Sequence, residues 1–180
     1  MTPEQIKKSI DTNQLQLTNN WDRFSHYGIV LFLICISVIS LYVSFSYILK
    51  GGKINIDNWT IGFFVEPLIF AFLFYRLQKK RLNFSSIDTN LSVDEIIKLL
   101  DNLSIEQKWS VETKNSHIYF AKTNPSIWSG SWGEQITILF DKGRVLINSI
   151  CDLEKRSSVV SMGRNRKNVA SIIDRIKVSS

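Results

Sequence analysis

Tyr27 to Leu49 form a run of 23 positions without a formally charged side chain. At about 1.5 Å per residue, one helix of that length crosses the ~30 Å hydrocarbon core of a bilayer. A second apolar run, Trp59 to Tyr75, follows after nine residues. Together they predict a helical hairpin at 25–81, with spans at about 27–49 and 59–77, between an N-terminal arm at 1–24 and a domain at 82–180. The whole-chain hydrophobic content of 44% would suit a soluble protein, so the average conceals this division.

The first run starts past residue 25 and is followed by Lys50-Gly51-Gly52-Lys53 rather than a small-x-small cleavage site, so it is expected to be retained. The net charge of +6 is unevenly placed: Arg76, Lys79, Lys80 and Arg81 cluster directly after the second run. With Lys7, Lys8 and Arg23 ahead of the first run and only Lys50 and Lys53 between the two, the basic bias predicts that both termini are cytoplasmic. The same cluster would attract anionic lipid, although topology alone accounts for it. Trp21, Phe24 and Tyr27 at one end, with Tyr47 and Trp59 at the other, fit aromatic belts at two interfaces. Cys35 lies in the first span and Cys151 in the domain, so no disulfide is expected, and a reducing compartment suits the chain.

The arm opens with Thr2-Pro3-Glu4, a helix-start pattern, and carries a patchy apolar face of Ile6, Ile10, Leu15 and Leu17. In the second span, Glu66-Pro67 predicts a kink or a half-inserted start, because proline lacks an amide hydrogen. Past Leu82 the pattern becomes that of a globular domain. Ser92-x-x-Glu95 reads as a capping box opening an amphipathic helix at 93–103. Residues 109–113, 117–123, 135–140 and 144–151 read as strands, joined in pairs across Lys114-Asn115-Ser116 and Asp141-Lys142-Gly143. Val169, Ile172, Ile173 and Ile176 mark a closing helix. The fold class is therefore α+β: a two-helix transmembrane hairpin followed by an α-β-β-β-β-α domain whose antiparallel sheet is covered on one face.

Two groups of residues are candidate sites. Glu66 is an ionisable group within a span, where such groups mark contacts or pathways. Ser40 and Ser44, in a stripe with Ser37, are expected at comparable depth and would donate to its carboxylate. Lys155, Arg156, Ser161, Gly163, Arg164, Asn165, Arg166 and Lys167 lead into the last helix, where free amides and basic side chains would hold an anion or an acidic protein patch. Trp128 and Trp132, in a Ser/Gly-rich loop, would dip into a membrane interface, stack on a planar ligand or fold over the sheet.

Catalysis finds little support. No HExxH, GxSxG, CxxC or Walker pattern occurs, and His26 and His117 stand apart, so neither an enzyme nor a metal or other cofactor is expected. Asp152 and Glu154 beside Lys155 and Arg156 read as a surface ion network. Residues 82–180 carry thirteen basic against eleven acidic side chains, too even a balance for nucleic acid.

The segment Ile147-Asn148-Ser149-Ile150-Cys151-Asp152, with Lys155-Arg156-Ser157-Ser158 and Ser161-Met162-Gly163-Arg164-Asn165-Arg166-Lys167-Asn168, resembles the C-terminal part of uncharacterised small bacterial membrane proteins with two spans and a cytosolic α+β domain. The resemblance implies a multi-pass protein of the bacterial inner membrane and supplies no reaction. The expected function is that of a membrane-anchored accessory protein whose cytosolic domain binds a protein partner or an anionic surface at the inner membrane, with lipid and a protein partner or a second copy as neighbours. The alternative is a self-protection or ion-handling subunit built on Glu66.

Overall fold

A computed structural model of the chain describes residues 1–53, 58–124, 131–155 and 161–180, with the backbone alone at 58–60. The expectations placed on Arg156 and Trp128, and on the side chain of Trp59, lie outside the described residues. Two compact units are present: His26–Lys80, and Met1–Ser25 together with Arg81–Ser180.

The first unit is a pair of long helices, α2 (Asn20–Leu49) and α3 (Asn58–Arg81), where α1 is the arm helix Pro3–Thr12 described below. Both helices are long and apolar enough to cross a membrane, and only 6% and 11% of their most apolar stretches are buried. That exposure distinguishes them from core helices of a soluble protein, which hide their apolar side chains. Polar clasps fix an antiparallel pairing. His26 Nε2 lies 3.0 Å from the Gln78 carbonyl while Gln78 Nε2 donates to the His26 carbonyl at 2.8 Å, and Ser37 Oγ donates to the Phe64 carbonyl at 3.1 Å. Pro67 removes one ladder bond, yet α3 is helical on both sides of it and continues to Arg81. Long apolar helices tolerate proline in this way.

The second unit is built on five antiparallel strands, β1 (Ser85–Asp88), β2 (Trp109–Lys114), β3 (Ile118–Thr123), β4 (Glu134–Asp141) and β5 (Arg144–Cys151), in the order β1-β5-β4-β3-β2. The fold is α+β as expected, with one strand more than the four read from the sequence. The β4–β5 connection is a two-residue hairpin in which Lys142 and Gly143 both take positive φ, 45° and 85°, the geometry that matches the twist of the flanking strands. Asn115 holds the β2–β3 turn by accepting from the amides of His117 and Ile118.

Helices α4 (Val93–Gln107) and α5 (Arg164–Ser179) cover one sheet face. Ser92 and Glu95 cap α4 reciprocally, and Ile96, Leu100 and Leu103 pack with Ile172 and Ile176 of α5 on Tyr119, Ala121, Ile136, Ile138, Val145 and Ile147. Tyr119 is fully buried there and its hydroxyl donates to Asp101 Oδ1 at 3.2 Å. Burial pushes the phenol up to about 12, against an opposing hydrogen bond with Ser104, and the charge on Asp101 adds to the rise. Between about pH 10 and 12 the unfolded chain therefore loses this proton while the folded chain keeps it, and stability falls as pH rises by on the order of 2 kcal/mol. Urea midpoints compared at about pH 9 and 11.5 should drop more for the native chain than for Tyr119→Phe. Equal drops would assign the alkaline loss to other groups.

The opposite face is covered too, which corrects the expectation of a sheet packed on one side. The arm forms α1, capped by Thr2 and Gln5, and ends at Asn13 with φ 51°. The chain then doubles back as an extended strap whose Leu15 and Leu17 are buried. Strap and post-α3 segment meet side by side: Leu15 N donates to the Leu82 carbonyl at 2.8 Å, and Phe84 N to the Asn13 carbonyl at 3.1 Å. With Leu82 and Phe84, the strap closes a second apolar layer on Leu139, Leu146 and Ile150, which alternate with the first-face residues along β4 and β5. Asn148 of β5 joins this layer by donating from Nδ2 to the carbonyls of Arg81 at 2.8 Å and Asn83 at 3.0 Å.

Candidate functional site

The strap and α1 cover the β5 side of the second face more fully than the β3 side, and the difference leaves an open cleft of about 630 Å³. Its floor is the alternating set Phe120, Lys122, Gln135 and Thr137, which register places side by side on β3 and β4. Ile6 and Ile10 of α1, with Leu15 and Leu17 of the strap, form the apolar wall. Ile6, Ile10, Phe120 and Gln135 are only half-buried, so apolar surface is left open in the cleft.

Lys122 is the charged centre of the floor. Its Nζ lies 2.7 Å from Glu154 and 3.0 Å from Glu112, and 5.7 Å from the centre of the Phe120 ring. Burial disfavours the ammonium, but the hydrogen bonds to Glu154 and Glu112 outweigh it and hold the lysine above its ordinary value. The group therefore stays charged and already neutralised, which suits a fixed hydrogen-bonding surface rather than a nucleophile. Asp152 and Glu154, expected as a surface ion network, do form ion pairs, but Asp152 is buried and its partner is Lys155 at 3.8 Å, while Glu154 serves Lys122.

The basic segment before α5 is organised by an acid that the sequence reading missed. Glu134, at the start of β4, is fully buried and accepts from Thr123 Oγ1 and Ser131 Oγ, each at 2.5 Å. Arg164 Nε closes on the same carboxylate at 3.2 Å from Oε1 and 3.3 Å from Oε2. Lys155 reaches Asn124 Oδ1 at 3.4 Å as well as Asp152. Ser161 is buried, and its carbonyl accepts from the Arg164 amide. Gly163 takes φ 78° at the N-cap and offers no side-chain cap, while Asn165 accepts from Ser149 Oγ at 3.2 Å. Two of the expected anion ligands, Arg164 and Lys155, are thus committed to acids, and Arg166 and Lys167 are an exposed basic pair among the described residues. Trp132 is exposed, beside the residues that lie outside the description.

In the hairpin, Glu66 is exposed, and no hydrogen bond joins it to Ser40 or Ser44 among the described residues. The Ser37–Phe64 contact fixes the reason: it sets Glu66 level with about Cys35, so Ser40 and Ser44 lie roughly 7 and 13 Å further along the helix axis. Both serines are half-buried, in line with Ser37 at the helix contact. Of the basic cluster, Arg76 lies over the Phe72 ring at 6.0 Å, Lys79 and Lys80 are exposed, and the Arg81 carbonyl accepts from Asn148.

Among the described residues no three His, Cys, Asp or Glu side chains gather as a metal site. Neither the protein-family models nor the curated proteins compared with this sequence match it.

Proposed function

We propose that the chain is a two-span membrane protein with both termini in the cytoplasm, and that its α+β unit is a binding module that recognises a protein partner through the cleft on the second sheet face. The carrying observation is the cleft itself: about 630 Å³, open, walled by half-exposed isoleucines and floored by a neutralised lysine. Such a surface takes apolar side chains and a few directed hydrogen bonds, the usual composition of a recognition site. Exposed apolar helices with basic flanks support the membrane location, and a bacterial inner membrane is what the resemblance of the C-terminal segment would imply. The exposed Arg166 and Lys167 remain a secondary contact for an anionic surface.

A photoreactive residue at position 135 tests the reading in cells. It should yield a defined protein adduct that Ile6→Arg abolishes by placing a guanidinium in the apolar wall. Adducts from positions 166 and 167 with none from position 135 would move recognition to the basic face. Release of the intact chain from membranes by alkali would end the membrane reading.

A further inference from the structure

Glu66 stands on the open side of the hairpin, level with about Cys35 and so near the middle of both apolar helices. A carboxyl group facing hydrocarbon without a partner is costly, and residues of this kind in spans face protein or water instead. We propose that two copies of the hairpin pair through Glu66, their carboxyl groups hydrogen-bonding to each other across a twofold axis along the membrane normal. This rests on α2 and α3 being membrane spans.

Depth selects the occupant. Such an axis sets each residue of one copy at the same depth as its counterpart, so when the exposed face of Phe63, Glu66, Phe70 and Leu73 packs on the axis, Glu66 meets Glu66. The other hydroxyls are poorly placed: Ser37 is engaged by the Phe64 carbonyl, and Ser40 and Ser44 lie further along the axis. A carboxyl that carries a proton both donates and accepts, so a pair needs no basic mate. Local shape agrees. Gly62, one turn before Glu66, leaves a notch in which a Cβ would come 3.3 Å from Glu66 Oε1, and Phe63, Ile69, Phe70 and Leu73 add exposed apolar surface on the same side.

Full-length chains carrying donor or acceptor dyes, reconstituted in lipid vesicles over falling protein-to-lipid ratios, read the association directly. The native chain should show specific energy transfer. Glu66→Gln, whose amide also donates and accepts, should keep it within about threefold, whereas Glu66→Leu should weaken it by roughly threefold to thirtyfold. Equal association of the Leu variant overturns the pairing, as does a native chain that stays monomeric at every ratio. A Gln variant as weak as Leu also overturns it, because an amide that donates and accepts would then fail to replace the carboxyl. Alkaline release from the vesicles would fail the membrane reading itself, whereas an embedded monomer fails the pairing alone.

Discussion

Arg164→Glu is expected to lower the stability of the α+β unit by about 3 kcal/mol or more, while Lys167→Glu, three residues on, changes it by less than about 0.5 kcal/mol. The two substitutions alter charge equally, and the surroundings separate them. Glu134 has no solvent access, and its oxygens depend on Thr123, Ser131 and Arg164. Removing the guanidinium strands a buried carboxylate, and supplying a second carboxylate adds repulsion in a poorly solvated site. Arg164 is about one-third exposed, at 35%, so solvent moderates the loss without replacing the partner. Lys167 is exposed and, among the described residues, has no such partner to strand. Urea unfolding followed by tryptophan fluorescence measures both, and the double variant Glu134→Gln with Arg164→Met should recover most of the loss. Failure to recover would show that Arg164 acts through something other than this pair. The comparison also sets the test of the exposed basic face, which must reverse Arg166 and Lys167 and spare Arg164.

Periodicity carried the sequence reading where one face of an element is apolar. Ile96, Leu100 and Leu103, like Ile172 and Ile176, repeat at helical spacing and occupy the first core as expected. It failed where pairing comes from distant backbone. β1 is Ser85-Ser86-Ile87-Asp88, a segment with one apolar side chain that becomes a strand because β5 offers its edge. The second covered face was legible in principle: Val145, Leu146 and Ile147 are consecutive apolar residues, which a strand solvated on one side has no reason to carry. Leu15-x-Leu17 in the arm supplies the missing cover, and its alternation was there to be seen. The cleft follows from how far α1 and the strap extend over that face, a length that no local pattern encodes. Glu134 was invisible for a similar reason. Ser131 is three positions away, but Thr123 and Arg164 are 11 and 30 positions away in the chain. The structure does not bring Ser40 and Ser44 to Glu66, because the register set by Ser37 on Phe64 offsets both serines along the helix axis.

Asn148→Asp should destabilise the same unit by about 3 kcal/mol, more than the cavity-forming Asn148→Ala, which should cost about 1–2 kcal/mol. Asn148 is buried, and its Nδ2 donates to two carbonyls, of Arg81 and Asn83, where the chain leaves α3 and runs toward β1. Aspartate keeps the shape but turns an acceptor toward those carbonyls and buries its charge, whereas alanine merely removes the donor. The Ala loss is partly offset because Oδ1 has no hydrogen-bond partner among the described residues, so its burial is already unfavourable. The order Asp worse than Ala is therefore the diagnostic, and the reverse order would mean that shape rather than donation matters at this position. Hydrogen exchange localises the effect: the amides of Leu15 and Phe84, which tie the strap to the post-α3 segment, should lose protection before those of β3 and β4. Because Leu15 and Leu17 also wall the cleft, loosening that tie should weaken adduct formation at position 135 without altering any floor residue.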